Sequence, residues 1–547
     1  MKIVIVGGVA GGASAAARAR RLSEDAEIIM VERGPDVSFA NCGLPYYIGE
    51  TITDRNKLLV TTPQRLHERF NLDVRVKSNV ESIDRAAKIV RIRNLQTAQE
   101  YEEAYDKLIL APGAAPLRPP IPGIDQPGIF TLRNLQDMDR IKSQIDAGVK
   151  QAVVVGAGLI GLELVENLVG LGIETTVVEL QDQVLPPLDK EMTTPLAEVL
   201  TERGVTLLTG EAAEGFESAA DGLTVQLKSG RVLPAQLVAL GIGVRPENGL
   251  AVAAGLDVGP RGGIQVNDQL QTSDPDIYAV GDAIEVTDFV SGDPTQIPLA
   301  GPANRQGRIA ADNIFGRSSS YRGTQGTAIL GLFGKTAAMT GASEKTLQRA
   351  GRPYRTVVIH PANHASYYPG AESMTLKLTF DLKSGKVLGA QGVGGAGVDK
   401  RIDVLAVAIQ AGMTVYDLEE MELAYSPQFG SAKDPVNMAG FVAAGLLRGD
   451  HPQIDAASLR ELEQKKPHVL LDVRTRNEFE AGHISGSIHI PVDELRNRIG
   501  ELPRDQEIIA YCKVGQRGYI ATRILMQSGF EVRNLSGGYT SYQMAAG

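Results

Sequence analysis

The chain has 547 residues, of which 43% are hydrophobic and 22% are charged, and its formal net charge is −10. This length is more than one hydrophobic core supports, so we expect about three or four domains. The acidic balance argues against nucleic acid or an anionic membrane as the main partner.

The cysteine count and the start of the chain favour a cytoplasmic protein. Only two cysteines are present, which excludes a disulfide framework and a cysteine-based metal site, and we predict no metal. The first residues indicate a β-strand and a turn rather than a signal peptide. No run of about 18 apolar residues is present, so no membrane span is expected.

Two strand–glycine turn–helix patterns organise the first half of the chain. The first spans Lys2 to Arg21, the second spans Ala152 to Gly170, and each is followed by a strand ending in an acid, Glu32 or Glu179. Glycine lets the backbone approach a pyrophosphate, the helix N-terminus attracts it, and the acid accepts hydrogen bonds from a ribose. Two such units predict two bound dinucleotides. The glycines are Gly7, Gly8, Gly11 and Gly12 in the first turn and Gly156, Gly158 and Gly161 in the second.

The two turns differ in how well they match the dinucleotide fingerprint. The second fits G-x-G-x-x-G, whereas Val9 stands where the second glycine of the first turn belongs. Either Gly8 takes that role or the turn is altered. In the second unit, Glu179 favours NADH, because a carboxylate binds the ribose 2′-hydroxyl and repels the 2′-phosphate of NADPH. No arginine follows in residues 180–183 to reverse that preference.

These motifs resemble those of the flavoprotein disulfide reductases of glutathione-reductase type, over residues 1 to about 445. The resemblance implies an α/β fold with two Rossmann-like domains that bind FAD and NAD, followed by an α+β dimerisation domain that forms a homodimer. It also implies that Asp282, after Gly281, binds the flavin's ribityl chain, and that Ala111 lies in the turn between the FAD and NAD domains. The expected boundaries are 1–113 and 245–321 for FAD binding, 114–244 for NAD binding and 322–446 for dimerisation.

Cys42 is the predicted redox cysteine of this region. No second cysteine lies nearby, so an internal dithiol is impossible and Cys42 must store its oxidising equivalent as a mixed disulfide, a persulfide or a sulfenic acid. Gly43 and Pro45 predict a constrained helix start at which a thiolate is stabilised.

The run from Ser38 to Tyr47 resembles that of coenzyme A-disulfide reductases. Peroxide- and oxygen-reducing relatives carry a histidine where this chain has Ala10. The resemblance implies that Ser38 and Asn41 bind coenzyme A beside Cys42. It also implies that tyrosines of the partner subunit act as acids, and a tyrosine pKa near 10 suits a proton donor at neutral pH. The matching residues here are Tyr367 and Tyr425.

Coenzyme A also requires cations for its phosphates. Arg18 and Arg21 lie one turn apart on the first predicted helix and can share a face. They are candidate phosphate ligands, and the alternative is a solvated basic face.

A polar segment at 447–453 is expected to link these domains to a last domain at 454–547. There, a predicted strand delivers Cys512 into a loop that opens a helix, so that successive backbone N–H groups form an anion nest. With Lys513 and Arg517, this nest should lower the thiol pKa and stabilise a persulfide. The pattern resembles a single-domain α/β rhodanese, which implies that Cys512 accepts sulfur. Its support residues would be Asp472, Arg474 and Arg517.

The whole chain thus resembles coenzyme A-disulfide reductase–rhodanese fusions, also described as NADH-dependent persulfide or polysulfide reductases. The resemblance implies an enzyme with FAD, NADH and coenzyme A, acting on a small thiol-derived substrate in which coenzyme A disulfide, coenzyme A persulfide and polysulfide stay unranked. One alternative is an NADH peroxidase or oxidase with a Cys42 sulfenate. Another is a non-enzymatic, redox-sensing protein in which Cys512 delivers sulfur to a partner.

Overall fold

The computed structural model describes residues 1–463 and 467–546. The chain folds into two units, each with its own core. The first comprises Met1–Asp182 and Arg203–Gly326, and the second comprises Gln183–Glu202 and the described residues from Thr327 onward. Among the described residues, no helix combines the length and apolar character that crossing a membrane requires.

The helices and strands alternate along the chain, and we number each kind in chain order. Residues 1–116 form β1 (Lys2–Val6), α1 (Gly11–Leu22), β2 (Glu27–Val31), β3 (Ser38–Phe39), α2 (Leu44–Ile48), β4 (Leu59–Thr61), α3 (Pro63–Phe70), β5 (Asp73–Arg75), β6 (Ser78–Asp84), β7 (Ile89–Asn94), β8 (Glu100–Ala104), β9 (Lys107–Leu110) and β10 (Ala114–Pro116). Residues 129–240 form β11 (Ile129–Thr131), α4 (Leu135–Asp146), β12 (Gln151–Val155), α5 (Leu159–Gly170), β13 (Glu174–Glu179), α6 (Lys190–Glu202), β14 (Thr206–Thr209), β15 (Ala213–Ala219), β16 (Gly222–Leu227), β17 (Val232–Ala235) and β18 (Leu237–Leu240).

The second half of the chain continues this numbering. Residues 244–314 form β19 (Val244–Pro246), α7 (Gly249–Ala253), β20 (Ile264–Gln265), β21 (Ile277–Ala279), β22 (Ile284–Thr287), β23 (Pro294–Thr295) and α8 (Ala300–Ile314). Residues 328–447 form β24 (Ala328–Leu332), β25 (Lys335–Gly341), α9 (Glu344–Arg349), β26 (Arg355–Ile359), β27 (Met374–Phe380), β28 (Val387–Gly394), α10 (Val398–Ala411), α11 (Val415–Glu420) and α12 (Pro435–Leu447). Residues 453–544 form β29 (Gln453–Ile454), α13 (Ala456–Glu463), β30 (His468–Asp472), α14 (Arg476–Glu480), β31 (Ile488–His489), α15 (Leu495–Arg498), β32 (Glu507–Tyr511), α16 (Gln516–Gln527), β33 (Val532–Leu535) and α17 (Gly538–Met544).

Two parallel sheets in the first unit carry the predicted nucleotide-binding units. Their strand orders are β21-β9-β1-β2-β5 and β11-β18-β12-β13-β14. The central strands are almost continuously apolar because helices cover both faces of a parallel sheet. Helix α1 approaches α8 so closely that a Cβ on Gly307 would lie 2.2 Å from the Gly11 carbonyl oxygen. This contact explains the small side chains of α1.

The second unit contains an antiparallel sheet and a second, parallel one. The antiparallel sheet has the order β24-β25-β28-β27-β26, with α10 packed on it. The parallel sheet has the order β29-β33-β32-β30-β31, with an apolar core on each face. The fold class predicted from the sequence is therefore confirmed: two Rossmann-like domains, an α+β domain and a C-terminal α/β domain.

Within the second unit, the C-terminal helix α17 is fixed to neighbouring elements. Thr194 donates a hydrogen bond to the Met544 carbonyl oxygen at 2.8 Å, and His360 Nε2 lies 2.8 Å from Ser541 Oγ. Burial lowers the pKa of His360 to about 4, so this contact is made by a neutral ring at pH 7. The C-terminal domain is therefore docked rather than tethered.

Candidate functional site

The first glycine turn packs so closely that side chains are excluded from it. Gly7 has φ +95°, and a Cβ built on it would lie 2.1 Å from the Ala111 carbonyl oxygen. A Cβ on Gly8 would lie 2.4 Å from a neighbouring carbonyl oxygen, and one on Gly12 would lie 1.9 Å from the Gly7 carbonyl oxygen. Ala111 is held there because its N–H donates to the Val6 carbonyl oxygen at 2.8 Å. The turn thus brings bare backbone to the end of β1.

Glu32, which follows β2, is fixed at this turn by two backbone N–H groups. Gly8 donates to its Oε2 at 2.9 Å, and Gly34 donates to its Oε1 at 2.8 Å. Carboxylate oxygens have lone pairs for more than one donor, so each can still accept from a ribose hydroxyl.

Glu179 repeats this arrangement at the second turn. Ala157 donates to its Oε2 at 2.7 Å, and Gln181 donates to its Oε1 at 2.8 Å. The side chain is 7% exposed. Glu32 and Glu179 therefore occupy equivalent positions of a repeated unit, and each serves as a control for the other.

The second glycine turn is closed at one glycine and open at another. A Cβ on Gly161 would lie 2.1 Å from the carbonyl oxygen of Gly156, which has φ +104°. A Cβ on Gly158 would meet nothing closer than the Gly241 carbonyl oxygen at 3.9 Å. Gly158 precedes α5, so this open space lies at a helix N-terminus and suits a phosphate.

Asp282 reaches the first turn from a third segment. It lies in the 3₁₀ turn Gly281–Ala283 after β21, where the Gly281 N–H donates to Gln306 Oε1 at 2.7 Å. Strands β21, β9 and β1 are parallel neighbours, so their carboxyl ends share the edge at which open α/β sheets bind ligands. Burial raises the pKa of Asp282, and nearby Arg133 opposes that shift.

Cys42 lies in the 3₁₀ turn Asn41–Gly43, directly before α2, and its side chain is exposed. Desolvation by the surrounding atoms, then Glu163 and Asp282, raises the pKa of Cys42. The expectation that a helix start stabilises the thiolate is therefore wrong for the chain by itself. Helix α2 has only five residues, so its dipole is small, and two carboxylates act against the negative charge.

The two predicted substrate ligands beside Cys42 differ in accessibility. Ser38 is 4% exposed in β3. Asn41 is exposed, and its Nδ2 donates to the Arg133 carbonyl oxygen at 3.3 Å. Asn41 is thus the more accessible of the two to a ligand approaching Cys42.

Glu163 was missed by the sequence reasoning. It lies on α5, and its Oε1 lies 3.5 Å from the Tyr46 hydroxyl. Burial raises the pKa of Glu163 to about 7, and burial with Glu163 raises the pKa of Tyr46 to about 12. The available signal was a pair of acids, Glu163 and Glu166, in the otherwise largely apolar helix that follows the second dinucleotide turn.

Tyr367 and Tyr425 are brought together by the α+β domain. They are 58 residues apart in the chain, yet their hydroxyl oxygens lie 3.1 Å apart. Their side chains are 74% and 50% exposed, and Phe429 nearby in sequence is 66% exposed. The hydrogen bond between the two hydroxyls raises the pKa of Tyr367, which keeps that hydroxyl protonated at neutral pH.

Cys512 directly follows β32 and lies in the loop that leads into α16. Its side chain is 1% exposed, and the Gly515 N–H donates to its sulfur at 3.2 Å. A Cβ on Gly538 would lie 2.4 Å from the Cys512 carbonyl oxygen, so the backbone at Gly538 packs directly against the loop. The strand–cysteine–loop–helix order predicted from the sequence is confirmed.

The charged residues near this loop are mostly paired. Arg517 binds both carboxylate oxygens of Glu478 at 2.7 Å, which lowers the pKa of Glu478 to about 2. Cys512, after Glu478, raises the pKa of Arg517, which places the guanidinium close to the sulfur. Lys513 is exposed. The buried pair of Arg474 and Asp472 supports the loop from within the domain.

The two predicted phosphate ligands on α1 have different surroundings. Arg18 forms an ion pair with Asp312 of α8 at 2.6 Å, and Arg308 shares that carboxylate at 3.1 Å. Arg21 is exposed. Between them, Arg20 is buried and donates to four backbone carbonyl groups. A phosphate would therefore meet Arg21 free in the solvent and Arg18 already neutralised.

Comparisons with known proteins agree with this geometry. Residues 1–307 match the family described as pyridine nucleotide-disulphide oxidoreductase, and residues 331–435 match the dimerisation domain of that family. The chain belongs to the pyridine nucleotide-disulphide oxidoreductase family. Residues 455–545 match a rhodanese-like domain.

Relatives cover the oxidoreductase part and the whole chain. A coenzyme A disulfide reductase of Staphylococcus aureus (strain bovine RF122 / ET3-1) is 37% identical over 445 residues, covering 81% of this chain and 99% of the relative. The structure of reduced Bacillus anthracis CoADR-RHD is 51% identical, with a TM-score of 0.97 over 99% of this chain and 98% of the other. A NAD-dependent persulfide reductase from A. fulgidus is 39% identical, with a TM-score of 0.93 over 99% of this chain and 100% of the other.

This member of the family is a flavin-dependent oxidoreductase that uses FAD and NAD(H). Its residues fit both groups. The first turn offers a cradle in which added Cβ atoms would clash with backbone, with Glu32 and Asp282 beside it. The second turn offers open space at Gly158 and a buried Glu179.

An acidic cluster elsewhere in this oxidoreductase is filled by a lysine. Oxygen atoms of Asp189, Glu191 and Glu344 lie within 4.8 Å of one another. Lys377, which is 1% exposed, binds all three and lies 2.8 Å from Asp189 Oδ2. The lysine therefore occupies the position that a cation would take.

Proposed function

We propose that this protein reduces coenzyme A disulfide, coenzyme A persulfide or polysulfide with NADH, through Cys42 as its single redox cysteine. The observation that carries the proposal is that the exposed Cys42 thiol lies close to residues of both dinucleotide units. The turn that holds Cys42 directly precedes α2, which packs on α5, the helix of the second turn, and Tyr46 of α2 lies 3.5 Å from Glu163 Oε1. Asp282, at the first turn, is close enough to act on the Cys42 sulfur as well. Both electron-carrying groups can therefore be held near one sulfur.

Cys42 carries out the thiol–disulfide exchange, and a bound flavin supplies the electrons. Bound FAD supplies two-electron transfer from NADH to a sulfur–sulfur bond. Cys42, as the thiolate, attacks a disulfide of coenzyme A, releases one thiolate and retains the other half as a mixed disulfide. Reduction of that bond by two electrons returns the Cys42 thiolate and a second coenzyme A thiolate.

Proton donation to the leaving thiolates is assigned to Tyr367 and Tyr425. Their hydroxyls lie 3.1 Å apart and are exposed, so a group outside the chain can reach them. We propose that they act on Cys42 of a partner subunit in a homodimer. The match of residues 331–435 to a dimerisation domain and the exposed Phe429 support this arrangement.

The C-terminal domain is proposed to supply the sulfur. The loop that ends on Gly515 donates an N–H to the Cys512 sulfur, and Arg517 lies close to it. These groups stabilise a thiolate or persulfide, because both carry negative charge on sulfur. The Cys512 thiolate would attack the outer sulfur of a sulfane donor, keep that sulfur as a persulfide and release the rest of the donor as an anion. The thiolate of coenzyme A or another small thiol would then attack the same outer sulfur, forming its own persulfide and releasing the Cys512 thiolate. Two free thiols and no disulfide framework support a reducing, cytoplasmic location.

Coenzyme A is proposed to bind through residues of the first unit. Asn41, next to Cys42 in the chain, is exposed, Ser38 is buried in β3, and Arg21 is the exposed cation of α1. Arg18 contributes only if a phosphate competes with Asp312.

Mass spectrometry of the protein after anaerobic treatment with coenzyme A disulfide tests the proposal. We expect one coenzyme A adduct on the Cys42 peptide, removed when NADH is added. No adduct on Cys42, or an adduct that NADH does not remove, would refute the assigned role.

A further inference from the structure

The segment between α12 and β29 is held in place at both ends. The Gly445 carbonyl oxygen accepts from the N–H groups of Asp450 and His451, at 2.9 Å and 3.0 Å. The Pro452 carbonyl oxygen accepts from the Asn534 N–H at 2.9 Å, and Gln453 pairs with β33. The expected polar linker at 447–453 is thus an ordered connection, and it buries His451 to 6% exposure.

The Asn534 side chain joins this segment to the loop of Cys512. Its Nδ2 donates to His451 Nε2 at 2.8 Å and to the Gly515 carbonyl oxygen at 3.0 Å. Its Oδ1 is buried and has no partner among the described residues. An unpartnered buried acceptor costs free energy, so the two donated bonds decide the orientation of the amide.

The absence of a side chain at Gly518 leaves the space that the Asn534 side-chain amide occupies. A Cβ on Gly518 would lie 2.2 Å from Asn534 Oδ1. Only glycine at that position of α16 lets the amide lie beneath the loop. The arrangement is therefore built from α16, β33 and the connecting segment together.

Gly515 is the point at which this arrangement meets the sulfur. Its carbonyl oxygen accepts from Asn534 and from the Tyr519 N–H, the latter at 2.9 Å. Its own N–H donates to Cys512 Sγ at 3.2 Å, and its φ is +95°. The N–H and the carbonyl group of Gly515 belong to adjacent peptide planes that meet at its Cα, so the bonds to the carbonyl oxygen restrict the φ and ψ at which the N–H can point to the sulfur. The Tyr519 ring lies 4.4 Å from the His451 ring and completes the contact.

The His451 ring is in the neutral protonation state that lets its Nε2 accept the hydrogen bond from Asn534. Burial, and next Arg523, lowers the pKa of His451 to about 4, so the ring is neutral at pH 7. A neutral ring with its proton on Nδ1 offers Nε2 as an acceptor. In that tautomer the Nδ1–H needs an acceptor, and the Gln453 side-chain amide, whose nitrogen lies 3.2 Å from Nδ1, supplies its oxygen when the amide is turned over.

We infer that His451 and Asn534 are positioning residues for Cys512, holding Gly515 so that its N–H stabilises negative charge on the sulfur. His451 comes from the connection to the α+β domain, not from the loop itself. The loop's reactivity therefore depends on a residue outside the strand–cysteine–loop–helix pattern. The inference deepens the proposed function and rests on Cys512 as the sulfur-accepting residue.

The test follows alkylation of Cys512 by iodoacetamide in the full-length, FAD-loaded protein, with Cys42 and Cys512 peptides resolved by mass. His451→Phe keeps a ring but removes the acceptor. We expect it to slow Cys512 alkylation at pH 7 about three- to tenfold, the effect of one hydrogen bond, and to move the pH profile of Cys512 alkylation to higher pH. A loss of packing alone would leave that profile in place. The Cys42 peptide is the internal control and should react as in the wild type.

Two further variants keep the test decisive if His451→Phe folds poorly. His451→Gln restores an oxygen acceptor and should regain most of the wild-type rate. Asn534→Asp keeps the shape but sets an oxygen against the Gly515 carbonyl group, so it should slow Cys512 as His451→Phe does. Cys512 alkylation unchanged within twofold in Asn534→Asp, or equally slow in His451→Gln and His451→Phe, would overturn the inference.

Failure of the proposed function would appear in a different measurement. Alkylation is read on Cys512 itself, so it does not depend on sulfur transfer. Thiosulfate-dependent sulfur transfer that survives Cys512→Ser would refute the role proposed for Cys512. NADH-dependent reduction of coenzyme A disulfide should be unchanged in the His451 variants, because that reaction uses Cys42.

Discussion

Replacing Glu179 by glutamine separates the two dinucleotide sites. In the wild type, Glu179 accepts from two backbone N–H groups at 2.7 Å and 2.8 Å, and it is only 7% exposed, so water does not screen its charge. Glutamine keeps one acceptor and loses the charge that a ribose hydroxyl would use. Loss of one charge-assisted hydrogen bond is worth about 2 kcal/mol, or about a 30-fold rise in KM for NADH.

The assay is steady-state oxidation of NADH and NADPH with a saturating disulfide, with the FAD content of each variant measured by absorbance. The matched control is Glu32→Gln, since Glu32 holds the same position in the first unit. We expect Glu32→Gln to weaken FAD retention and to leave KM for NADH unchanged. We expect Glu179→Gln to leave FAD retention unchanged, to raise KM for NADH and to narrow the preference for NADH over NADPH. Equal effects of both variants on KM for NADH, or equal kcat/KM for NADH and NADPH in the wild type, would refute the assignment.

Three further outcomes are expected. Gly158→Ala should fold normally but raise KM for NADH, because a Cβ there meets nothing closer than 3.9 Å. Gly161→Ala should lower the melting temperature, because its Cβ would lie 2.1 Å from a carbonyl oxygen, and equal melting temperatures of the two variants would contradict this expectation. Tyr425→Phe should lower kcat for disulfide reduction about tenfold or more without changing FAD content, as expected for loss of a general acid, and an unchanged kcat would remove that role. Glu478→Gln should make the melting temperature less dependent on pH below about pH 4.3. A carboxyl whose pKa is lowered to about 2 stabilises the fold at pH values above its unfolded pKa and loses that effect as the pH falls through 2. Identical pH profiles of the melting temperature for variant and wild type would contradict this expectation.

The dinucleotide turns were predictable because their constraints are local. Gly7, Gly156 and the acids that follow each second strand are read from spacing, and the structure places each acid at its glycine turn. The strand that delivers Cys512 was predictable for the same reason. A buried parallel strand leaves a continuous apolar run in the sequence.

The parts that were missed depend on contacts between distant segments. Glu163 acts on Cys42 only because α5 packs near α2, which no local pattern records. The pKa of Cys42 was predicted to fall, from the helix start alone, but it rises because desolvation and the carboxylates outweigh a five-residue helix.

The segment before the last domain shows the same limit. Its composition, rich in polar residues, indicates a linker, but His451 is buried there and bonded to Asn534, 83 residues later. Hydrogen-bond partners at that separation cannot be read from composition. The Arg18 ion pair with Asp312, 294 residues away, was invisible in the sequence for the same reason.

The most direct test of the account is the stoichiometry of anaerobic NADH oxidation with coenzyme A disulfide. We predict two thiols formed per NADH in the wild type and in Cys512→Ser, and no thiol formed in Cys42→Ser even though NADH still bleaches its bound FAD. Disulfide turnover that survives Cys42→Ser would contradict it. So would a wild type that oxidises NADH with peroxide or oxygen but forms no thiol from the disulfide.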